Sequence, residues 1–166
     1  MSIFPKNGSI PRIALYMPLP EECVVLLSNP LQFRQWNIPA EGLPPEFLIR
    51  RSMAAPGSWW LAPRLWIDTD SRQIVGSACY KTAPENRRVE IGYGIAPSCR
   101  GQGHATEGVA LLLREAFASG EIDEVTAATT PANRSSRRVL EKNGFKIVGS
   151  GIDPDDGVVD LWSRSN

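Results

Sequence analysis

The run Arg100-Gly101-Gln102-Gly103-His104-Ala105 constrains this chain most, because it joins a strand-like segment ending at Ile95 to an amphipathic helix. Ala105, Val109, Leu112, Leu113, Ala116 and Phe117 fall at i, i+4, i+7, i+8, i+11 and i+12, one face of an α-helix. The spacing predicts a helix over 103–119 that stops at Ser119-Gly120, and residues 123–128 then read as a strand. Strand, loop, helix and strand in that order make a crossover between parallel strands. Two glycines one residue apart turn the backbone tightly and leave its amide hydrogens uncovered, while the helix N-terminus adds unpaired donors and the positive end of its dipole. The loop is therefore an anion site that can hold a pyrophosphate without a lysine. Alone, it does not distinguish a nucleotide, a dinucleotide or coenzyme A.

The remaining elements fit the same α/β plan. Ile13-Ala14-Leu15-Tyr16 reads as a first strand, and Pro20-Glu21-Glu22 opens a helix through about Leu27. Residues 29–57 hold five prolines and short helices, one of them over 45–53. Strands at 64–68 and 73–80 flank the polar turn 69–72 as a hairpin, and a further strand follows over 87–95. Asn133 caps a helix through Lys142, whose end at Asn143-Gly144-Phe145 predicts a left-handed Gly144 with Phe145 folded back on Leu140. Strands at 145–149 and 157–162 then flank the acidic turn Asp153-Pro154-Asp155-Asp156. The sum is one α/β domain with a mixed sheet.

A chain of 166 residues suits one domain that buries about 70% of its unfolded surface. Eighteen basic residues balance eighteen acidic ones, which gives no reason to expect nucleic acid or a membrane surface as partner. Cys23, Cys79 and Cys99 are scattered and odd in number, which points to a reducing compartment, and His104 as the sole histidine argues against zinc. The N-terminus lacks a basic segment followed by an apolar one, and no apolar run approaches the ~18 residues a membrane span needs. The expectation is a cytoplasmic protein.

Residues 89–149 resemble the GNAT superfamily of acetyl-CoA-dependent N-acetyltransferases, in particular the branch with the ribosomal-protein N-terminal acetyltransferases. Three pieces carry the likeness in order. Glu90-Ile91-Gly92-Tyr93-Gly94-Ile95 leads through Pro97 to Arg-x-x-Gly-x-Ala at Arg100, Gly103 and Ala105; Asn-x-x-Ser follows at Asn133 and Ser136; Val139-Leu140-Glu141-Lys142-Asn143-Gly144-Phe145 closes the set. The resemblance implies a single domain over 1–166, with an acceptor-side half of about 1–86 and an acetyl-CoA half of 87–166. It implies a mixed, mostly antiparallel sheet with a central splayed pair of parallel strands, flanked by helices.

The resemblance also implies roles. The amides of Gly101, Gln102, Gly103, His104 and Ala105 would hold the coenzyme A pyrophosphate, with Arg100 framing the loop and the His104 side chain facing solvent. The strand bearing Tyr93, Gly94 and Ile95 would pair with the pantetheine arm as an added strand does. Asn133, Ser136 and Arg137 complete the expected cofactor contacts, Arg137 as a candidate for the 3′-phosphate beside Arg134 and Arg138. Glu90 is the expected base, through water, or else a strand glutamate paired with Arg87 or Arg88. Many relatives place an acidic tyrosine four residues before the glycine of the Gly-Phe pair; here that position is Leu140, which leaves Ser136 as the nearest hydroxyl. Trp36, Trp59 and Trp60 are candidates to wall an acceptor pocket, with core packing the equal alternative for Trp59 and Trp60.

The implied reaction moves acetyl from acetyl-CoA to a primary amine by direct attack, with no metal. A peptide α-amine near pKa ~8 is roughly a tenth neutral at pH 7, against about one part in a thousand for a lysine near ~10.4, so it asks less of a base. The preferred acceptor is a protein or peptide α-amine. A small amine such as an antibiotic or polyamine is the alternative within the enzyme class, and a coenzyme A-binding module without catalysis is the rival outside it. A monomer and a homodimer both fit.

Overall fold

The computed structural model describes residues 12–28, 43–55 and 57–166. Its strands are β1 (Ile13–Tyr16), β2 (Arg64–Asp68), β3 (Gln73–Tyr80), β4 (Arg88–Ile95), β5 (Glu124–Thr129), β6 (Lys146–Asp153) and β7 (Gly157–Ser165). Its helices are α1 (Pro20–Ser28), α2 (Glu46–Ala54), α3 (His104–Ala118) and α4 (Arg134–Lys142), with single 3₁₀ turns at Trp59–Leu61 and Pro97–Cys99. The sheet order is β1-β2-β3-β4-β5-β7-β6, and among the described strands only the β4–β5 pair is parallel.

Two apolar clusters show how the helices sandwich the sheet. Cys23, Leu26 and Ile49 from α1 and α2 pack on Leu65, Ile67 and Ile74 of one face. On the other face Val109, Leu112 and Ala116 of α3, with Leu140 of α4, join Trp66, Val89, Ile91 and Trp162. A bulge between the pairs Trp66↔Gly76 and Ile67↔Ile74 resets the alternation of β3, so Ile74 faces α1 and α2 while Ala78 and Tyr80 join the opposite cluster. α3 lies directly on Trp66, since a Cβ at Gly108 would come within 2.4 Å of the indole.

Arg64 is fully buried in β2 and is held by Glu115 of α3 (Nε to Oε2, 3.0 Å) and by the carbonyls of Trp59 and Ala62. Tyr80 donates to the same Glu115 at 3.0 Å and to the Leu112 carbonyl at 2.9 Å. The Trp59 and Trp60 rings stack on each other and meet Tyr80 edge-on, Trp60 is 5% exposed, and neither lines the two cavities between the described residues at the β4–β5 opening. Of the two readings of this pair, the structure favours packing: Trp59 gives the buried Arg64 a ring face and a carbonyl, and Trp60 packs on Trp59 and Tyr80. Trp36 lies outside the described residues.

Candidate functional site

β4 and β5 pair only over Arg88↔Glu124, Val89↔Val125 and Glu90↔Thr126. Beyond Glu90 the strands part, and β4 keeps its β3 partner along one edge while the edge toward β5 opens. The two cavities of the site meet at this opening, one of about 540 Å³ and one of about 550 Å³, and Tyr93, Gly94, Ile95 and Arg100 line both.

The first cavity is bounded by the loop before α3 and by α4. Gly101 and Gly103 take φ of +76° and +88°, and a Cβ at either would meet nothing within 4 Å, so both turn toward open space. The amides of residues 101–105 donate to no other described residue, leaving a nest of hydrogens at the N-terminus of α3. Asn133 accepts from the Ser136 amide at 3.1 Å, the N-cap expected of it. α4 closes as a Schellman motif: Phe145 donates to the Leu140 carbonyl at 3.1 Å, Gly144 to that of Glu141 at 3.0 Å, and Gly144 has φ +78°. The Asn143 side chain bridges the Thr106 and Val139 carbonyls and so ties α4 to the start of α3.

Three expected cofactor contacts sit differently. His104 is 3% exposed, with Nε2 3.3 Å from Asp68 Oδ2, so it faces the sheet rather than solvent. Its position as the first residue of α3 aims the ring back over the end of β2. Gln102 is held by Arg12, which donates to its carbonyl at 3.1 Å and its side-chain oxygen at 3.3 Å, and it does not line the cavity. Arg137 turns away to ion-pair with Asp160 of β7 over the Trp162 ring, while Arg138 and Lys142 line the cavity in its place.

Asp68 anchors the loop from below. It accepts from the Ser71 amide and hydroxyl, each at 2.8 Å, and Arg12 lies 3.5 Å away. Burial pushes its carboxyl up, but the two Ser71 donors, His104 and Arg12 together outweigh that and hold it below the usual carboxylate range. The only local signal for this role is the Asp-x-x-Ser turn at 68–71; the partners His104 and Arg12 are far away in sequence.

At the opening, Tyr93 Oη lies 2.8 Å from Ser136 Oγ, which places two hydroxyls on the side of β4 facing α4. Burial pushes the Tyr93 phenol up, only partly offset by Ser136, so it stays protonated at neutral pH. Leu140 is fully buried and lines neither cavity. Glu90, on the alternate face with Gly92 and Gly94, pairs with Lys81 at 2.6 Å; Arg87 and Arg88 instead hold Asp123 and Glu124.

The second cavity lies on the α2 side. Leu43, Pro45, Phe47 and Leu48 form its apolar wall, and β3 from Gly76 to Cys79 with Gly92 forms its floor. Its charged lining residues are Arg51, Lys81 and Arg100; no carboxylate lines it among the described residues. Nothing local in the sequence marks this wall, because it is assembled from side chains of separate elements. The described residues hold no cluster of side chains suited to a metal and no helix long and apolar enough to cross a membrane.

Residues 22–146 match the acetyltransferase (GNAT) domain. The uncharacterized N-acetyltransferase YjdG of Bacillus subtilis is 31% identical over 101 residues, 60% of this chain and 58% of that protein. The chain spans about half the length of the curated relatives it matches. Among solved structures, the ribosomal-protein-S5-alanine acetyltransferase of Vibrio fischeri superposes with a TM-score of 0.70 at 15% identity, covering 96% of each chain. The aminoglycoside acetyltransferase AAC(6′)-Ib in complex with coenzyme A superposes with a TM-score of 0.64 at 18% identity, covering 93% of this chain and 95% of that one.

Proposed function

The chain belongs to the GNAT acetyltransferase family, and within it we propose that this protein acetylates the α-amine of a protein or peptide in the cytoplasm. The observation that carries the reading is the opening between β4 and β5, where a cavity with an anion-binding nest meets a second, separate cavity at Tyr93 and Gly94. Acetyl-CoA fits the first: undonated amides suit a pyrophosphate, and the free edge of β4 suits the amides of a pantetheine arm. Gly101 and residues 103–105 hold the pyrophosphate through their backbone, Asn133 and Ser136 border the arm, and Arg138 with Lys142 supplies positive charge at the outer end.

Acetyl-CoA brings an acyl carbon activated as a thioester; the amine forms the C–N bond, the C–S bond breaks, and the proton lost by nitrogen balances the one gained by sulfur. Glu90 takes the amine proton through water from its face of β4; it lines neither cavity, but it sits at the point of strand separation and pairs with Lys81, which lines the second. Ser136, backed by Tyr93, gives a proton to sulfur from the opposite face. Placing the acid and the base on opposite faces of one strand keeps them from neutralising each other. Holding amine and thioester together supplies much of the acceleration.

The test measures free thiol released from acetyl-CoA with N-terminal peptides, aminoglycosides and polyamines as acceptors. Peptides should turn over fastest. Preference for a small amine moves the assignment to that class, and tight acetyl-CoA binding with no turnover on any acceptor leaves only a binding module.

A further inference from the structure

We infer that the acceptor is an acidic N-terminal segment, an α-amine followed within its first few residues by side-chain carboxylates; this rests on the α-amine reading above. The second cavity presents cations with little to neutralise them. Lys81 is balanced by Glu90. Arg51 and Arg100 have no carboxylate partner among the described residues.

Arg51 is the more specific of the two. It donates from Nη2 to the Tyr80 carbonyl at 2.9 Å and from Nη1 to the Lys81 carbonyl, which fixes the guanidinium on the cavity wall. Its Nε is buried against the Cys79 thiol, so the guanidinium is held from three sides. The Cys79 thiol beside it supplies no countercharge, because burial pushes its pKa up even with Arg51 nearby. A guanidinium fixed on the cavity wall by two backbone carbonyls, next to apolar Phe47 and Leu48, recognises a carboxylate carried on a partly apolar chain. A polycationic amine meets like charge there and gains nothing to offset its desolvation.

The experiment compares three peptide series with the same first residue and length, bearing Asp or Glu, Asn or Gln, or Lys at positions two and three. Thiol release should give kcat/KM about tenfold higher for the acidic series than for the amide series, the ratio carried by about 1.4 kcal/mol. The Lys series should be lowest, and the spread should narrow as salt rises. In Arg51→Gln the acidic advantage should shrink through KM while acetyl-CoA affinity, read by calorimetry, stays unchanged and shows the variant folded. Turnover that is equal across the three series, or highest with Lys, overturns this inference and leaves the α-amine reading standing. Absence of turnover on every peptide overturns the α-amine reading itself.

Discussion

The two cavities that meet at Tyr93 and Gly94 are built from different materials. The one beside α3 is made mainly of backbone: amides of residues 101–105, the free edge of β4 and the capped start of α4. The one beside α2 is made largely of side chains gathered from loops, a helix and two strands. A backbone site depends on glycines, caps and turns, which are written in consecutive residues. A side-chain site depends on which distant residues meet, and substitutions there change the ligand without changing the fold.

The sharpest way to break this contrast is Gly103→Asp. At φ +88° with open space ahead, an aspartate strains the turn and aims a negative charge at the nest. Acetyl-CoA affinity by calorimetry should fall about a hundredfold, or about 2.8 kcal/mol. Gly103→Ala adds the strain without the charge and should lose far less. Equal losses in the two variants would mean that the loop shape, and not its charge, decides binding.

Next in size is Leu140→Tyr, which restores the hydroxyl many relatives carry at this position. Leu140 is fully buried beneath Phe145 in the main cluster, so a phenol there overpacks the core. The expected result is a loss of about 2 kcal/mol in chemical denaturation and no gain in kcat. A faster enzyme would show that α4 can rotate to present this residue, and that Tyr93 and Ser136 are not the acid pair.

Glu90→Gln probes the strand position just before the cavities meet. We expect kcat/KM about tenfold lower, an optimum moved toward higher pH where more of the amine is already neutral, and unchanged acetyl-CoA affinity. An unaltered pH profile would reduce Glu90 to the structural partner of Lys81.

The legible parts of the molecule follow the same contrast. The hairpin of β2 and β3, the face of α3, the Asn133 cap and the Gly144 closure all depend on residues within a few positions of one another, and all are where the sequence pattern put them. Arg137 and Arg138 are adjacent and alike in sequence, yet one is committed to Asp160 and Trp162 while the other borders the cofactor cavity. Only the approach of β7 decides between them. Buried Arg64 and His104 were hidden for the same reason: their partners Glu115 and Asp68 lie 51 and 36 positions away.

The smallest expected effect tests the side-chain support beneath the backbone site. Asp68 holds Ser71, Arg12 and His104 together under the loop, and its folded pKa is lowered. A lowered carboxyl stabilises the fold fully above its unfolded value of about 3.9, and the contribution is lost as pH falls through the lower folded value. Wild-type stability should therefore drop more than that of Asp68→Asn as pH falls from about 5 through the lowered folded value, because the amide has no proton to take up there. The variant should start less stable at pH 7, because an amide keeps the Ser71 bonds but removes the charge facing Arg12 and His104. Parallel pH curves for the two proteins would show that the Asp68 carboxyl is not lowered in the fold and that its charge does not anchor the loop.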